Sequence, residues 1–312
     1  MKILRRPHGA QRRGARTTTV AIGALAATLA CNPARALEND GPITPFGVFD
    51  FGAGITPPPT PNGTLATRFA YYSTHTLRNG GNADFSLTAA SWSLAYIRMT
   101  NVKLFGANVG FGAIVPFLNL NGHVNVPTPA GTLAMSANPT NIGDADFQPL
   151  ILAWTLPNLF VNIALQAQAP TGAYRASRLF NPGVNHWTFS PIIGATYITD
   201  SGFEISTSIE IDQNTTNRAT NYRSGTGFRQ EFAVGQHIGP FTAGLGGYIE
   251  RQLSNDHGPN VDGNRARVNA VGPAISYVEP GRPAIWLHAY KEFGAQNRAQ
   301  GYQVALRAAL SF

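Results

Sequence analysis

The last eleven residues, 302–312, alternate between two kinds of side chain almost without a break. A period of two is the period of a β-strand, whose successive side chains point to opposite faces. One face is purely apolar and comprises Tyr302, Val304, Leu306, Ala308, Leu310 and Phe312. The other face is small or polar and comprises Gln303, Ala305, Arg307, Ala309 and Ser311. A strand of this kind, with the aromatic Phe312 as its final step, is typical of bacterial outer-membrane β-barrels, whose assembly machinery reads it.

The net charge of +7 and the isoelectric point near 9.8 are carried by the amino-terminal segment. Residues 1–36 contain seven basic residues and no acidic one, which leaves 16 basic against 16 acidic residues in the rest of the chain. A basic start, an apolar stretch over 20–30 and the sequence Ala34-Arg35-Ala36 predict a cleaved signal peptide over 1–36. The charge therefore does not indicate a nucleic-acid partner.

Composition also separates the chain from ordinary soluble domains. Charged residues are 12% of the sequence, about half of the roughly 25% usual in soluble proteins. After the signal no apolar run approaches the ~20 residues of a membrane helix, whereas a barrel needs only alternating apolar positions. The single cysteine, Cys31, lies in the predicted signal, so disulfides and thiol chemistry are not expected in the mature chain.

The remaining sequence divides into a lead-in and a series of strands. The lead-in, 37–63, is irregular and contains Pro57, Pro58, Pro59 and Pro61, so we expect it on the periplasmic side, with the lumen as the alternative location. The barrel is predicted over 64–312, as an all-β, antiparallel, up-and-down transmembrane barrel of about twelve strands. The predicted strands are 64–76, 84–99, 103–118, 141–155, 158–169, 184–198, 202–213, 225–238, 241–252, 265–278, 283–293 and 300–312.

The breaks between these strands alternate in length. Short breaks at 100–102, 156–157, 199–201, 239–240 and 279–282 interleave with longer ones such as 119–140, 170–183 and 214–224. Outer-membrane barrels have this arrangement, with short periplasmic turns and longer extracellular loops. The sequence Glu279-Pro280-Gly281-Arg282 predicts a type II turn, and Pro273, inside a strand, predicts a bulge.

Charged side chains on the strands occur opposite the apolar faces. An arginine or lysine that faces lipid at mid-depth costs ~2–4 kcal/mol, so these side chains are predicted to face the lumen. Two interpretations stay open: a polar constriction that orients a solute, and a salt-bridged filling of a narrow barrel. The candidate lumen-lining residues are Glu204, Glu210, Arg229, Glu231, Tyr248, Glu250 and Arg307.

No catalytic, cofactor or metal site is predicted. The histidines outside the signal show neither the HExxH spacing nor a tight zinc pattern. His186 and Ser190 are four residues apart and would share a strand face, but the sequence offers no G-x-S-x-G and no clear third member of a triad.

Several segments resemble a known family. They are the run from Ala169 through Pro170-Thr171-Gly172 to Tyr174, the run Asn181-Pro182-Gly183-Val184-Asn185-His186-Trp187-Thr188-Phe189-Ser190-Pro191, the segment Gly143-Asp144 entering a strand, and the early Phe49-Asp50-Phe51-Gly52. Together they resemble outer-membrane proteins associated with the meta-pathway of phenol degradation, including the sphingosine-induced outer-membrane proteins. The resemblance implies a β-barrel transporter of hydrophobic compounds.

The predicted function is passive uptake of small hydrophobic or aromatic compounds through the outer membrane of a Gram-negative bacterium, without reaction or cofactor. The expected partners are outer-membrane lipids, the solute and the barrel-assembly machinery. The predicted access loop for solute contributes Tyr174, Phe180, Asn185 and Trp187. The alternatives are a non-conducting structural or adhesion barrel and an outer-membrane lipid hydrolase.

Overall fold

The computed structural model describes residues 46–78, 84–129, 131–259, 261 and 265–312. The predicted signal peptide and the first part of the lead-in lie outside these residues. No helix in the described part of the chain is long and apolar enough to cross a membrane. The strands are β1 (Thr64–Thr74), β2 (Asp84–Leu104), β3 (Ala107–Thr128), β4 (Gly131–Ala137), β5 (Thr140–Ile142), β6 (Ala145–Leu156), β7 (Leu159–Ala169), β8 (Thr188–Ile198), β9 (Phe203–Asn214), β10 (Gly227–Ile238), β11 (Phe241–Gln252), β12 (Arg267–Tyr277), β13 (Ala284–Gln296) and β14 (Tyr302–Ser311).

These strands close into an antiparallel barrel. β1 pairs with both β2 and β14. From β14 back to β6, each strand pairs with the strand next to it in sequence. The wall closes through β3, which pairs with β2 along one edge and with β6 on the other. Beyond its pairing with β6, β3 pairs with the short strands β4 and β5. The predicted twelve-stranded barrel is therefore confirmed, with β4 and β5 as an added extension at the loop end.

Alternation within the strands sets the inner and outer faces. In β9, Glu204, Ser206, Ser208, Glu210 and Asp212 are buried, while the residues between them are exposed or partly exposed. In β14 the outward set predicted from the sequence is also found: Tyr302, Val304, Leu306 and Leu310 are exposed and Gln303 and Ala305 are buried. Large exposed apolar side chains on a closed barrel form a surface for lipid.

The two barrel edges differ as predicted. Five short connections lie at one edge, and the long connections lie at the other, which by the usual orientation is the extracellular side. At the predicted type II turn, Arg282 N donates to Glu279 O over 3.1 Å and Gly281 has a φ of 76°. Phe312 N donates to Gly63 O over 3.1 Å, which joins the carboxy-terminal residue to the start of β1. Recognition of Phe312 by the assembly machinery stays a prediction.

Two predicted breaks are wrong. Residues 100–102 do not form a turn, because β2 continues through a register shift between Met99 and Lys103. The chain reverses instead at Phe105 and Gly106, whose φ angles of 51° and 80° match a primed two-residue hairpin turn. Likewise 119–140 is no irregular loop, since β3 runs on to pair with β4.

The bulge predicted at Pro273 is also misplaced. Pro273 pairs in register with Leu245, and the irregularity in β12 lies between Arg267 and Asn269. The ring of Pro273 points to the outer face of β12, and its missing N–H falls where the β12–β13 pairing omits Gly272 and Pro273, between the pairs Val271–Lys291 and Ala274–His288.

Lipid exposure of the outer face generates a test at Leu245. Leu245 lies on the outer face of β11 and is 53% exposed, whereas Leu253 lies just beyond the strand and is 48% exposed. We expect Leu245→Arg to lower the free energy of unfolding by ~2–4 kcal/mol and Leu253→Arg by at most ~1 kcal/mol. Denaturant titration of the barrel refolded into lipid vesicles measures both. Equal losses would contradict the placement of Leu245 in the lipid.

Candidate functional site

The barrel encloses a cavity of about 890 Å³. At the periplasmic edge it is bordered by the turns that contain Gly239 and Glu279, and at the loop end by Phe180 and Asn181. The cavity therefore extends along the barrel axis instead of forming a side pocket. Its lining comes mainly from β1, β2, β3, β6 and β7 and from the amino-terminal lead-in, with inward residues of β8–β14 such as Glu204, Thr242 and Trp286.

The lead-in enters the lumen. The sequence favours a periplasmic location for 37–63, but the structure places residues 46–56, called the plug below, against the inner barrel wall. Phe46 and Phe51 are each only 2% exposed and belong to one buried cluster with Tyr248 and Tyr290. The alternative location in the lumen is thus the one observed for residues 46–56, whereas Asn62 lies at the barrel edge, where its N–H donates to Phe312 O over 3.1 Å.

Carboxylates and a hydroxyl of the wall accept hydrogen bonds from the backbone of the plug. Gly47 N and Phe49 N both donate to Glu231 Oε2, over 2.8 Å and 3.1 Å. Gly52 N donates to Glu204 Oε1 over 2.7 Å. Farther along, Gly54 N donates to Thr196 Oγ1 over 2.8 Å. Buried N–H groups need partners. Ala53 N and Ile55 N find theirs within the plug, on Asp50 O and Gly52 O, and the wall side chains supply the others named here.

The carbonyls of the plug are paired in the same way. Gln303 Nε2 donates to Phe46 O over 2.6 Å, Trp286 Nε1 to Phe51 O over 3.0 Å and Asn162 Nδ2 to Ala53 O over 2.8 Å. Arginines complete the set: Arg68 donates to Phe46 O and Arg307 to Val48 O. The plug is therefore hydrogen-bonded to strands on several sides of the barrel.

Asp50 is the one charged side chain of the plug, and it is buried. Its Oδ1 accepts from Arg307 Nη2 over 2.8 Å, and its Oδ2 lies 3.1 Å from His288 Nδ1. The guanidinium of Arg307 also stacks on the Trp286 ring, with 4.1 Å between its Cζ and the ring centroid. Removing one partner of such a buried pair leaves the other charge uncompensated, which is strongly destabilising.

Small residues let the plug approach the wall closely. A Cβ on Gly47 would lie 2.1 Å from the His288 ring, and one on Gly54 would lie 2.2 Å from Phe160 O. On the wall, a Cβ on Gly235 would lie 2.5 Å from the Phe51 ring. Phe46 in turn stacks on Tyr248 with ring centroids 3.9 Å apart. The glycines therefore allow both the contacts and the hydrogen bonds of the plug.

Two further ion clusters fill part of the lumen. Arg229 pairs with Glu210 and, over 3.0 Å, with Asp212. Arg298 pairs with Glu250 and, over 3.2 Å, with Glu292. The hydroxyls of Tyr72 and Tyr248 also donate to Glu292, over 2.8 Å and 2.7 Å. Of the two interpretations of the inward charges, salt-bridged filling thus describes the β9–β14 side of the lumen.

The seven candidate lumen-lining residues all project from the inner face, but they divide into two groups. Glu204, Tyr248 and Arg307 border the cavity. Glu210, Arg229, Glu231 and Glu250 do not belong to its lining, because they are enclosed in the ion clusters or beneath the plug. The four enclosed residues therefore hold the structure of the lumen and do not contact the open space.

The loop over 170–187 closes the extracellular end. Phe180 is 1% exposed, borders the cavity and packs edge-on against Phe85, with ring centroids 6.4 Å apart. Tyr174 and Asn185 both contact Asn217, whose Nδ2 donates to the Tyr174 hydroxyl over 2.9 Å and whose Oδ1 accepts from Asn185 Nδ2 over 2.8 Å. Tyr174 and Asn185 therefore tie the access loop to the next loop.

Trp187 does not belong to an opening for solute. It is 42% exposed and stacks on the exposed Phe189, with ring centroids 6.0 Å apart. Thr188, between them, begins β8 and faces inward, so both aromatic rings point outward by alternation. Trp187 lies with the lipid-facing aromatic residues, and its assignment to the access loop is corrected.

The motif segments singled out from the sequence meet at Asp144. Its Oδ1 accepts from Gly172 N over 2.7 Å and its Oδ2 from Val184 N over 2.6 Å. Gly172 and Gly183 are in close contact, since a Cβ on Gly172 would lie 2.8 Å from Gly183 Cα. Burial raises the pKa of the Asp144 carboxyl, while the backbone N–H groups act in the opposite direction. Asp144 thus fastens both ends of the loop to the start of β6.

Sequence reasoning missed several residues of this site, notably Asp50, Arg68, Asn162, Trp286 and His288. Arg68 alone carried a usable signal, because a charged residue inside an alternating strand is expected to face the lumen. The others gain their role from plug contacts far away in sequence. Asp50 and His288, for example, are 238 positions apart.

The structure gives no support to a serine–histidine pair. Ser190 Oγ donates to Asp212 Oδ1 over 2.6 Å, and His186 Nδ1 lies 3.2 Å from Trp187 O. The described residues also contain no group of three His, Cys, Asp or Glu side chains arranged to hold a metal ion.

The Asp50 interactions generate a test of plug anchoring. In a Cys31→Ser background, Ala53→Cys places one thiol at a buried plug position. We expect Asp50→Ala to raise its labelling rate by a maleimide about tenfold or more, since a hydrogen bond to a charged group contributes ~1.5–3 kcal/mol. The matched control is Asp200→Ala, which removes an exposed turn carboxylate. Equal labelling rates in all three proteins would contradict anchoring through Asp50.

Comparison with known proteins agrees with the geometry. The family described as "Putative MetA-pathway of phenol degradation" matches residues 58–308. A solved outer-membrane channel from Pseudomonas putida superposes with a TM-score of 0.67 at 14% identity, over 81% of this chain and 97% of that one. The β domain of the Bordetella autotransporter BrkA gives a TM-score of 0.46 at 10% identity, over 80% and 99%.

No curated protein matches the sequence significantly. At 14% identity the superposition on the Pseudomonas putida channel establishes the fold alone, whereas the family match covers most of the chain. The protein is an outer-membrane β-barrel and belongs to the phenol-degradation family of putative MetA-pathway proteins.

Proposed function

We propose that the barrel is a channel for passive uptake of small hydrophobic or aromatic compounds across the outer membrane. The observation that carries the proposal is the cavity of about 890 Å³ beside the plug. Sites for small molecules usually have volumes of ~300–1,000 Å³ and mostly apolar walls with a few placed polar groups. The cavity fits this description in both size and lining.

Two parts of the cavity lining differ in chemistry. Along β1 and β2 the lining consists mainly of small side chains, such as Ala66, Ala70, Ala89 and Ala95. Beyond β3 along the same wall, β6 and β7 contribute amides and a carboxylate: Asp146, Gln148, Asn162, Gln166 and Gln168. A neutral, largely apolar solute with one polar group would match both parts, because its apolar body and its polar group each find a suitable surface.

The path would begin at the loop end and finish at the periplasmic turns. At the loop end the ring of Phe180 closes the space together with Phe85, Leu120 and Val124. Movement of the loop around Phe180 would therefore admit the solute, while Asp144 holds both ends of the loop in place. No chemical step is part of the proposal, and the inner side chains would act only by shape and hydrogen bonding.

One observation favours a second candidate, a non-conducting structural barrel. The plug and the ion clusters of Arg229 and Arg298 fill part of the lumen, and both are buried and paired with wall side chains. A barrel filled in this way would be stable without transporting anything. The two functions differ in whether solute crosses the barrel at a rate above that of lipid alone.

Adjacent alanines in β2 provide a matched test. Ala89 borders the cavity, whereas Ala90 is exposed on the outer face. We expect Ala89→Phe to lower permeation of a small aromatic solute into proteoliposomes several-fold, because the ring occupies the cavity. Ala90→Phe should leave permeation unchanged, and retained heat-modifiable migration on gels would show that both variants fold. Permeation by wild type no faster than in protein-free vesicles would instead support the structural barrel.

A further inference from the structure

Three basic side chains lie on the lipid-facing surface near the loop end of β11–β13. They are Arg251, Arg267 and Lys291, called the outer basic patch below. Alternation places each of them in the same set as outward apolar residues of its strand, such as Leu245 in β11 and Leu287 in β13. Charged side chains on this surface are costly unless they reach the headgroups or meet an opposite charge.

Among the described residues of β10–β14, no acidic side chain faces outward with the patch. In β10–β14 the acidic residues are Glu231, Glu250 and Glu292, and all three are buried on the inner face. Among the described residues of these strands, the outer face therefore carries cations and no carboxylate. The side chains of Arg267 and Lys291 make no hydrogen bond or ion pair with any residue that the structure describes.

Two of the cations face each other directly. Arg251 and Arg267 are register partners in the β11–β12 pairing. Like charges directly opposite each other on a sheet are destabilising. Such a pair becomes favourable when an anion with several acceptor oxygens lies between the two guanidinium groups.

The guanidinium of Arg251 is held in a fixed orientation. Its Nη1 donates to Glu250 O over 2.6 Å and to Val268 O over 2.8 Å, and its Nη2 donates to Asn269 Oδ1 over 2.5 Å. The guanidinium thus lies across β12, beside Arg267. An oriented cation loses less conformational entropy on binding a ligand than a free side chain does.

Aromatic residues indicate the depth of the patch in the membrane. Lys291 is the register partner of Tyr302, whose ring lies 6.3 Å from the Tyr71 ring between centroids. Tyrosine belts of this kind mark the boundary between hydrocarbon and headgroups. Val271 is the register partner of Lys291. Arg267 lies four residues from Val271 towards the loops, a distance of ~13 Å along the strand. The arginine pair is therefore at headgroup level in the outer leaflet.

We propose that the outer basic patch binds the phosphate groups of the phosphorylated glycolipid that forms the outer leaflet of this membrane. The paired guanidinium groups of Arg251 and Arg267 hold a phosphate by charge-assisted hydrogen bonds, and Lys291 contributes a cation below them. The acyl chains pack on the exposed apolar residues of β12 and β13. This interaction is separate from the cavity and does not depend on transport.

The test compares binding of purified lipid A, with its phosphates intact or enzymatically removed, to the barrel in detergent. We expect the double variant Arg251→Gln/Arg267→Gln to bind the phosphorylated form about tenfold or more weakly than wild type does, since each charge-assisted bond is among the stronger hydrogen bonds. The matched control is Arg98→Gln, which removes an exposed outward arginine at the opposite edge of the barrel. It should bind as wild type does.

Removal of the phosphates should weaken wild-type binding by a similar factor and leave the double variant unchanged. Equal affinity of wild type and the double variant for phosphorylated lipid A would overturn the proposal. Equal affinity of wild type for phosphorylated and dephosphorylated lipid A would also overturn it. So would an affinity of wild type for phosphatidylglycerol equal to its affinity for phosphorylated lipid A. Unchanged heat-modifiable migration of the variant shows that any loss is not a failure to fold.

Discussion

Hydrogen bonding between wall side chains and the backbone of the plug is the interaction on which the lumen depends. Residues 46–56 have no strand or helix partner for their peptide groups, and peptide groups cannot remain unpaired inside a barrel. Glu204 and Glu231 accept from the N–H groups, while Arg68 and Arg307 donate to the carbonyls. The inward charges of the wall therefore bond to the backbone of the plug, and the glycines of the plug let that backbone come close enough to do so.

The plug makes the lumen asymmetric. With the ion clusters of Arg229 and Arg298, it fills part of the lumen and leaves a cavity lined mainly by β1, β2, β3, β6 and β7. This lining has small apolar residues along β1 and β2 and amides along β6 and β7, which is the basis for proposing a path for hydrophobic solutes. At the extracellular end Asp144 fastens the loop that covers this path. The loop and the plug are thus held by the same type of interaction, in which a buried carboxylate accepts hydrogen bonds from backbone N–H groups.

Sequence periodicity was sufficient for the strands and their facing. The alternation in β9 and β14 assigned inward and outward residues correctly, because in a membrane barrel one face meets lipid and a shift by one residue would expose charges to it. Contacts between distant residues had no local pattern to reveal them: Glu231 and Gly47 are 184 positions apart. Trp187 was misassigned because it continues the alternation of β8 and points outward with Phe189, one residue before the strand begins. The turn at Phe105 and Gly106 was missed because a phenylalanine with positive φ has no sequence signal.

The most direct test of the account is amide hydrogen exchange of residues 46–56 in the folded barrel, followed by mass spectrometry. If wall side chains pair with the plug backbone, Gly47, Phe49, Gly52 and Gly54 should exchange as slowly as the strands that hold them, because exchange requires opening of those bonds. Exchange of this segment at the rate of an unstructured peptide, in a barrel whose strands stay protected, would contradict it.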